Sequence, residues 1–430
     1  MKRRDFIKNL AAFSSVTILP SSVWALTKNG KIRTAHIGVG GMMGMADLTS
    51  IASHPMVEVT ALCDVDSNYL TAAQKAFPRA KGFTDYRRMF DALGKAIDAV
   101  VITTPDHTHA PASLMAMEMG KPVYCQKPLT HHVSEARAMR KYAKDNNIIT
   151  QMGIQCHSSD MYRQAVVLIQ SGIIGKINCV RAWSPKNWGY DGPAPSGSDP
   201  IPKTLDWNLW LGTSPERPYK EGLYHPANWR KVLDYGCGTL GDMGVHIFDT
   251  PYTALNLDVP KTVKTSCRKP TGFGHPENNL VEYQFPGTDY TTDKFKWIWY
   301  DGPGAPEKHK DLKLPNDEKL PEQGAMFVGE KGNLLLPHWD YPKLIVDGKY
   351  EKIDFPTLEK VDHYHQFIDA CLGKAECSAP FTYGAKLTEA ILLGVIANRF
   401  PKKKLHWDIK NAKFAEAEAN LLLKTKYRKF

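Results

Sequence analysis

The sequence predicts an N-terminal α/β domain on a parallel, doubly wound sheet, followed by an α+β domain with an open, mostly antiparallel sheet. Three observations carry this expectation. Apolar strand-like runs alternate with helical stretches of about 10 to 15 residues from Ile32 onward, and a glycine-rich turn follows the first of them. After Gln155 the alternation gives way to strand-like runs separated by Pro- and Gly-rich segments. At 430 residues the chain also exceeds what one hydrophobic core organises, so two domains are expected. The boundaries read as a leader over 1–25, an α/β domain over 26–152, an α+β domain over 153–400, and a strand and helix over 401–430 that pack back on the body.

The leader comes first. Lys2-Arg3-Arg4-Asp5-Phe6-Ile7-Lys8 runs into an apolar stretch over 10–19 and then Val23-Trp24-Ala25, whose small last residue suits cleavage. The apolar run is too short to span a membrane, and no transmembrane segment is expected in the mature chain. The order of charge, apolar run and small residue resembles a twin-arginine export signal. It implies a protein exported in the folded state, to the periplasm. A basic N-terminal helix is the other reading.

In the α/β domain, strands are expected over 32–37, 57–63, 97–103, 123–125 and 148–152, with helices to Ser53, over 110–119 and over 134–146. The turn after the first strand is Gly38-Val39-Gly40-Gly41-Met42-Met43-Gly44. Glycine there lets backbone approach a pyrophosphate and hand it to a helix N-terminus, where free N–H groups and the helix dipole favour negative charge. Asp64 ends the next strand, 20 residues after Gly44, where a carboxylate can accept both ribose hydroxyls and repel a 2′-phosphate. Together these predict a Rossmann domain that takes NAD rather than NADP. A structural turn with a coincidental aspartate is the alternative. The glycine expected three residues after Gly40 is Met43, and Gly44 comes one position late, so either the turn is longer or Met43 packs where glycine would. The expected cofactor contacts are Gly38, Gly40, Gly41, Met42, Met43 and Asp64, with Thr104, Pro105, His107 and His109 from the end of the 97–103 strand.

The segment Gly120-Lys121-Pro122-Val123-Tyr124-Cys125-Gln126-Lys127-Pro128-Leu129-Thr130, following Thr103-Thr104-Pro105-Asp106-His107, resembles the Gfo/Idh/MocA oxidoreductases. The usual triplet in that family is Glu-Lys-Pro; here it is Gln126-Lys127-Pro128. The resemblance places Lys127 near the nicotinamide and the substrate, and Gln126 beside the cofactor. Exchanging Glu for Gln removes a negative charge and should leave the lysine less strongly held protonated. A second match lies in Gly236-Cys237-Gly238-Thr239-Leu240-Gly241-Asp242-Met243-Gly244-Val245-His246. Read as a helix, Asp242 and His246 stand at i and i+4 on one face. A neutral imidazole can take a hydroxyl proton while a carboxylate orients it, and the resemblance gives that role to the histidine of such a pair. A helix cap and a satisfied core histidine is the bland alternative.

The resemblance runs from Ile32 to the last helix and implies a carbohydrate substrate and a homodimer or homotetramer, and export favours a tightly held cofactor. Gly153-Ile154-Gln155-Cys156-His157 and Asn228-Trp229-Arg230 look like substrate-wall segments; Trp188 or Trp229 could stack on a pyranose, and Gln155, His157 and Arg230 could bond its hydroxyls. Each of these alone reads more readily as structural.

In the second domain a helix over 161–171 precedes a strand over 176–183. A Pro-, Gly- and Ser-rich insertion over 184–202 is able to cover a substrate. Strands are expected over 262–267, 280–285, 295–300, 325–328 and 334–336, and helices over 359–372, 383–398 and 412–423. The formal charge of +10 is spread along the chain rather than gathered into an aromatic-interleaved patch, so no nucleic-acid partner is expected. Eight cysteines without Cys-x-x-Cys spacing read as buried thiols. The histidine pairs 107/109, 131/132 and 363/365 lack further ligands at metal spacing, so no metal site is expected. The function that follows is NAD-dependent oxidation of a sugar or polyol hydroxyl. Two alternatives stay open: redox-neutral glycoside cleavage through transient sugar oxidation, and non-catalytic sugar binding.

Overall fold

Short apolar strands joined by amphipathic helices can pair only in parallel, because each helix carries the chain back across the sheet. That is the arrangement of the first half of the chain in a computed structural model that describes residues 30–302 and 309–430. The predicted leader lies outside the described residues. Strands β1 (Ile32–Ile37), β2 (Val57–Cys63), β3 (Lys81–Phe83), β4 (Ala99–Ile102), β5 (Val123–Gln126) and β6 (Thr150–Gly153) form one parallel sheet in the order β3-β2-β1-β4-β5-β6. Helices α1 (Gly44–Ala52), α2 (Ser67–Ala76), α3 (Tyr86–Leu93), α4 (Asp106–Glu118) and α5 (Val133–Asp145) connect them in turn. Every residue of β4 and β5 is buried, as a sheet covered on both faces requires. The strand order reverses between β1 and β4, which opens a crevice at their carboxyl ends.

The second half builds a ten-stranded sheet from β7 (Ile177–Ser184), β8 (Thr262–Ser266), β9 (Leu280–Gln284), β10 (Thr291–Asp301), β11 (Gly324–Gly329), β12 (Asn333–Pro337), β13 (Lys343–Val346), β14 (Lys349–Glu351), β15 (Lys404–Asp408) and β16 (Lys413–Phe414). Its order is β14-β13-β12-β11-β7-β10-β9-β8-β15-β16, and the pairing is antiparallel except between β7 and β10. Helices α6 (Asp160–Gln170), α7 (Trp207–Leu211), α8 (Val245–Ala254), α9 (His363–Cys371) and α10 (Phe381–Ala397) complete the domain. Phe248 of α8 stacks on Trp297 of β10 with ring centroids 4.0 Å apart, which seats the helix on the sheet. All eight cysteines are free thiols.

Three elements differ from expectation. The amphipathic stretch over 412–423 is not a helix: Lys413 and Phe414 pair with β15, and Asn420 closes the turn by bonding the Phe414 N–H and carbonyl. Packing of Phe414 on Trp407, at 4.8 Å between centroids, overrides the helical pattern, and only a short 3₁₀ segment, Ala417–Leu422, follows. Helix α9 starts at His363 because the Asp362 carboxylate caps it, accepting from the Tyr364 and His365 amides. The insertion is longer than 184–202. It continues to Tyr235, builds a small core of its own around Trp207, Trp210, Tyr224, Trp229 and Tyr235, and docks on the β2–α2 turn through an Asp66–Leu205 bridge.

Among the ion pairs that join the two halves, one is built on a fully buried carboxylate. Arg137 of α5 meets Glu389 of α10 with Nε–Oε2 and Nη2–Oε1 distances of 2.8 and 2.5 Å, and Trp407 Nε1 donates to the same carboxylate at 3.1 Å. Glu389 is fully buried. Glu389→Ala strands a guanidinium and an indole N–H, and should lower stability by about 3–5 kcal/mol, measured by urea unfolding. Glu389→Gln, which keeps an acceptor, should lose less.

Candidate active site

The turn from β1 to α1 sets the floor of the crevice. Gly38 has φ +80°, and a Cβ there would lie 2.6 Å from the Thr103 carbonyl oxygen. Gly44 opens α1, and a Cβ there would lie 2.6 Å from the Val39 carbonyl carbon. The close helix–strand approach is therefore made at Gly44 and the turn is one residue longer than the usual spacing. Met43 is the residue before the helix. No side chain caps α1, so its positive end is open to an anion. Asp64 Oδ2 accepts from the Val39 and Gly40 amides at 2.9 and 3.1 Å, and Oδ1 from the Asp66 amide at 2.9 Å. Burial raises the Asp64 pKa, and these amides work against that rise. A glycine turn, an uncapped helix and a carboxylate at the end of β2 fit a dinucleotide. Gly38, Gly40, Gly41, Met42, Met43, Asp64, Thr104, Pro105, Gln126 and Lys127 all line one continuous cleft.

At the other end of that cleft the Lys127 ammonium donates to Asp242 twice, to Oδ1 and to the carbonyl oxygen, both at 3.0 Å. Arg230 Nε reaches the same Oδ1 at 3.1 Å, and Trp188 Nε1 reaches Oδ2 at 2.6 Å. Burial alone would push this carboxyl up, but Lys127 and Arg230 outweigh it and hold Asp242 well below the usual carboxylate range. Gln126 does not leave the lysine without acidic neighbours. Its Nε2 donates to Asp47 Oδ2 at 2.8 Å while its Oε1 accepts the Lys127 N–H at 3.2 Å. Asp47 also takes the Thr103 and Tyr364 hydroxyls, and burial lifts it to about 6. The carboxylate missing at position 126 thus stands one hydrogen bond further back.

His246 lines the same end, but Asp242 does not orient it. Residues Leu240–Gly244 form a π-helical turn ahead of α8, so the pair is not stacked at regular α-helical spacing, and the Asp242 oxygens are taken by Lys127, Arg230 and Trp188. Glycines at 241 and 244 leave room for this turn. The orienting contact comes instead from Cys156, whose Sγ lies 3.6 Å from His246 Nδ1 and 3.6 Å from the His246 carbonyl oxygen. A thiol that donates to the carbonyl and accepts from Nδ1–H places the imidazole lone pair on Nε2. Burial pushes the Cys156 thiol up, so it stays protonated. Burial, with Lys127 and His338 nearby, pushes the His246 pKa well below its ordinary value. The ring is neutral at pH 7.

Other expected contacts divide. Gln155 lines the cleft and donates to Tyr364 at 3.0 Å. Trp188, Trp229 and Arg230 line it too, but Trp229 is largely buried in the insertion core with Arg230 over its ring at 4.3 Å. His107, His109 and His157 do not line the cleft. Helix α4 begins at Asp106, four residues earlier than expected, and carries both histidines inward: His107 lies against the Trp210 and Tyr235 carbonyls, His109 against those of Thr104 and Pro128. His157 is paired with the buried Asp249 at 2.9 Å. The sequence does not single out Tyr69, Asp106 and His225, which line the cleft, or Asp47 and Cys156, which stand behind Gln126 and His246. Asp106 directly follows the expected Thr104 and Pro105 contacts and could have been found there. Burial lifts it to about 7, against the pull of Arg230 and Lys127.

Asp242→Asn should be less stable than the wild type by about 3–5 kcal/mol at pH 7, because two cations lose their partner. Since the Asp242 pKa is depressed in the fold, its contribution is complete above the unfolded value near 4 and is lost as pH falls further. The gap between the two proteins in urea unfolding should therefore be constant from pH 7 to 5 and narrow below pH 4.

Comparison with known proteins agrees with this architecture. The profile for the oxidoreductase family's NAD-binding Rossmann fold matches residues 32–154, and that for the family's C-terminal alpha/beta domain matches 163–272. The levoglucosan dehydrogenase of Pseudarthrobacter phenanthrenivorans is 26% identical over 218 residues, 49% of this chain and 48% of that protein. The chain thus matches about half the length of that relative. The D-xylose 1-dehydrogenase [NADP(+)] of Haloarcula marismortui is 21% identical over 79% of this chain and 83% of its own. Among solved structures, the WlbA dehydrogenase from Bordetella pertussis, in complex with NADH and UDP-GlcNAcA, superposes with a TM-score of 0.62 at 16% identity, covering 88% of this chain and 99% of that one, which shows a shared fold. With its glycine turn, its Gln126-Lys127-Pro128 segment and both domains matched, the chain belongs to the Gfo/Idh/MocA oxidoreductase family, with an NAD-binding Rossmann domain.

Proposed function

We propose that the protein is an NAD-dependent oxidoreductase that oxidises a secondary hydroxyl of a sugar or polyol. The observation that carries this is the pairing, at one end of the dinucleotide cleft, of a Lys127 ammonium held by Asp242 with a neutral His246 imidazole. The glycine turn, Asp64, Thr104 and Pro105 would hold NAD, which supplies the hydride acceptor when bound. The residues do the rest. His246 Nε2 makes no hydrogen bond among the described residues, and we assign it the hydroxyl proton. Lys127 donates a hydrogen bond to the same oxygen and stabilises charge developing there. Trp188, fixed by Thr239 and Asp242, offers a ring to a pyranose face, and Gln155 and Arg230 offer donors to its other hydroxyls.

The names of the relatives support a carbohydrate substrate. One of them, a glycosyl hydrolase family 109 protein of Stenotrophomonas maltophilia, 34% identical over 29% of each chain, supports the redox-neutral route as the rival reading. Incubating the purified protein with sugars and aryl glycosides separates the two: stoichiometric NADH absorbance marks net oxidation, whereas glycoside cleavage without net NADH marks the rival. Retained nucleotide with neither reaction marks a binding protein. The Arg3-Arg4 leader supports export through the twin-arginine route to the periplasm, and the family resemblance supports a homodimer or homotetramer.

Lys127→Ala and His246→Ala should each reduce turnover by about 100-fold or more while leaving NADH binding in place. Near-normal rates in both would remove the catalytic assignment. Asp64→Ala should weaken NAD and raise relative use of NADP, read as the ratio of kcat/KM for the two cofactors.

A further inference from the structure

The sheet order gives the cleft a direction. Gln126 ends β5 and Lys127 lies past it, the glycine turn lies past β1, Asp64 past β2, and Thr84, Asp85 and Tyr86 past β3. The lysine end takes the nicotinamide, so the β3 end takes the adenosine. That end has a wall from a distant part of the sequence: Phe430 lines the cleft, as do Tyr86 and Trp210.

Phe430 is held there rather than resting there. Asp85 grips Arg87 at 2.9 Å to Nε and 2.7 Å to Nη2, and the Arg87 guanidinium carbon lies over the Phe430 ring, 3.9 Å from its centroid. Arg87 Nη1 also donates to the Phe430 carbonyl oxygen. Two residues earlier, the Arg428 guanidinium donates to the Asn208 side chain at 2.7 Å and to the Asn208 and Ser214 carbonyls at 2.9 and 3.2 Å, while its amide donates to the Thr213 carbonyl at 2.9 Å. Tyr427 donates to Glu135 of α5 at 2.7 Å. Residues 427–430 therefore tie α5, the α7 loop and α3 together, and the last of them delivers a flat apolar ring to the adenosine end. The Arg428 guanidinium carbon also lies 5.8 Å from the centroid of that ring, and the part of the ring that lines the cleft can meet a neighbouring π-system.

We propose that Phe430 is a cofactor-binding residue: clamped by Arg87, it walls the adenosine end of the dinucleotide cleft, so that release requires the 427–430 segment to lift. This gives the chain a means of retaining NAD through many cycles. The inference rests on the cofactor cleft alone and is independent of which hydroxyl is oxidised.

The test uses ADP, which occupies only the adenosine end, and NADH. ADP affinity is measured by calorimetry, and NADH release by loss of its fluorescence on mixing with excess NAD. Phe430→Ala should weaken ADP and accelerate NADH release, each by about fivefold or more. Phe430→Trp should retain slow release. Arg428→Ala, which removes an anchor that does not line the cleft, should accelerate release in a protein whose melting temperature without nucleotide is unchanged. Phe430→Ala with ADP affinity and NADH release both within twofold of the wild type overturns the proposal. A wild type that binds neither ADP nor NADH overturns the cofactor cleft itself, and this inference with it.

Discussion

A single buried carboxylate, Asp242, carries the organisation of the cleft. It collects the Lys127 ammonium from the first domain, and Arg230 and the Trp188 indole from two parts of the second. A charge withdrawn from water is tolerated only when it is paired and its lone pairs are filled, so each of these donors must arrive together for any of them to be placed. The π-turn over Leu240–Gly244 presents both an oxygen of the side chain and the carbonyl of the same residue to one ammonium. Two cations share this one carboxylate, and the buried Asp106 carboxyl also feels both of them.

Around this centre the charges are arranged so that the imidazole can stay neutral. His246 is buried, with Lys127 nearby, and both effects disfavour its protonated form. Its partner is a thiol rather than a carboxylate. Cys156 fixes the ring without supplying the negative charge that would raise its pKa, which suits the proton-acceptor role proposed for it. Asp47 plays a comparable indirect part on the other side: through the Gln126 amide, a buried carboxylate stands behind the Lys127 peptide. Exchange of Glu for Gln in the triplet therefore moves the charge by one hydrogen bond.

The cleft is closed by segments that do not belong to either sheet. The insertion following β7 folds on its own aromatic core, reaches across to the β2–α2 turn, and supplies Trp188, Trp229 and Arg230. His225 of the same segment bonds Asp66 at 3.1 Å, adding a polar tie at that crossing. The tail after β16 bonds Glu135 and Arg87 of the first domain and Asn208, Thr213 and Ser214 of the insertion. The sheets thus position the strand-end groups, and the insertion and the tail supply further walls of the cleft.

How much of this was legible beforehand follows from which interactions are local. Strand and helix alternation, the glycine turn and Asp64 depend on backbone sterics and on residues within one βαβ unit, and the sequence by itself determined them. Lys127, Asp242 and His246 could be named through resemblance, and they do meet in space. Their partnership could not be read, because the regular i to i+4 geometry inferred for Asp242 and His246 is replaced by a π-turn. Nor does sequence spacing show that Cys156, 90 residues earlier in the chain, reaches the histidine. His107, His109 and His157 are a similar case: polar residues at a strand end or domain junction look functional, yet burial against backbone carbonyls or Asp249 takes them out of the cleft. The stretch over 412–423 has the pattern of a helix and becomes a hairpin because Phe414 finds Trp407. Local propensity and spacing determine elements and candidate chemistry. Which groups desolvate together, and so which protons and charges they hold, is decided only when distant segments pack.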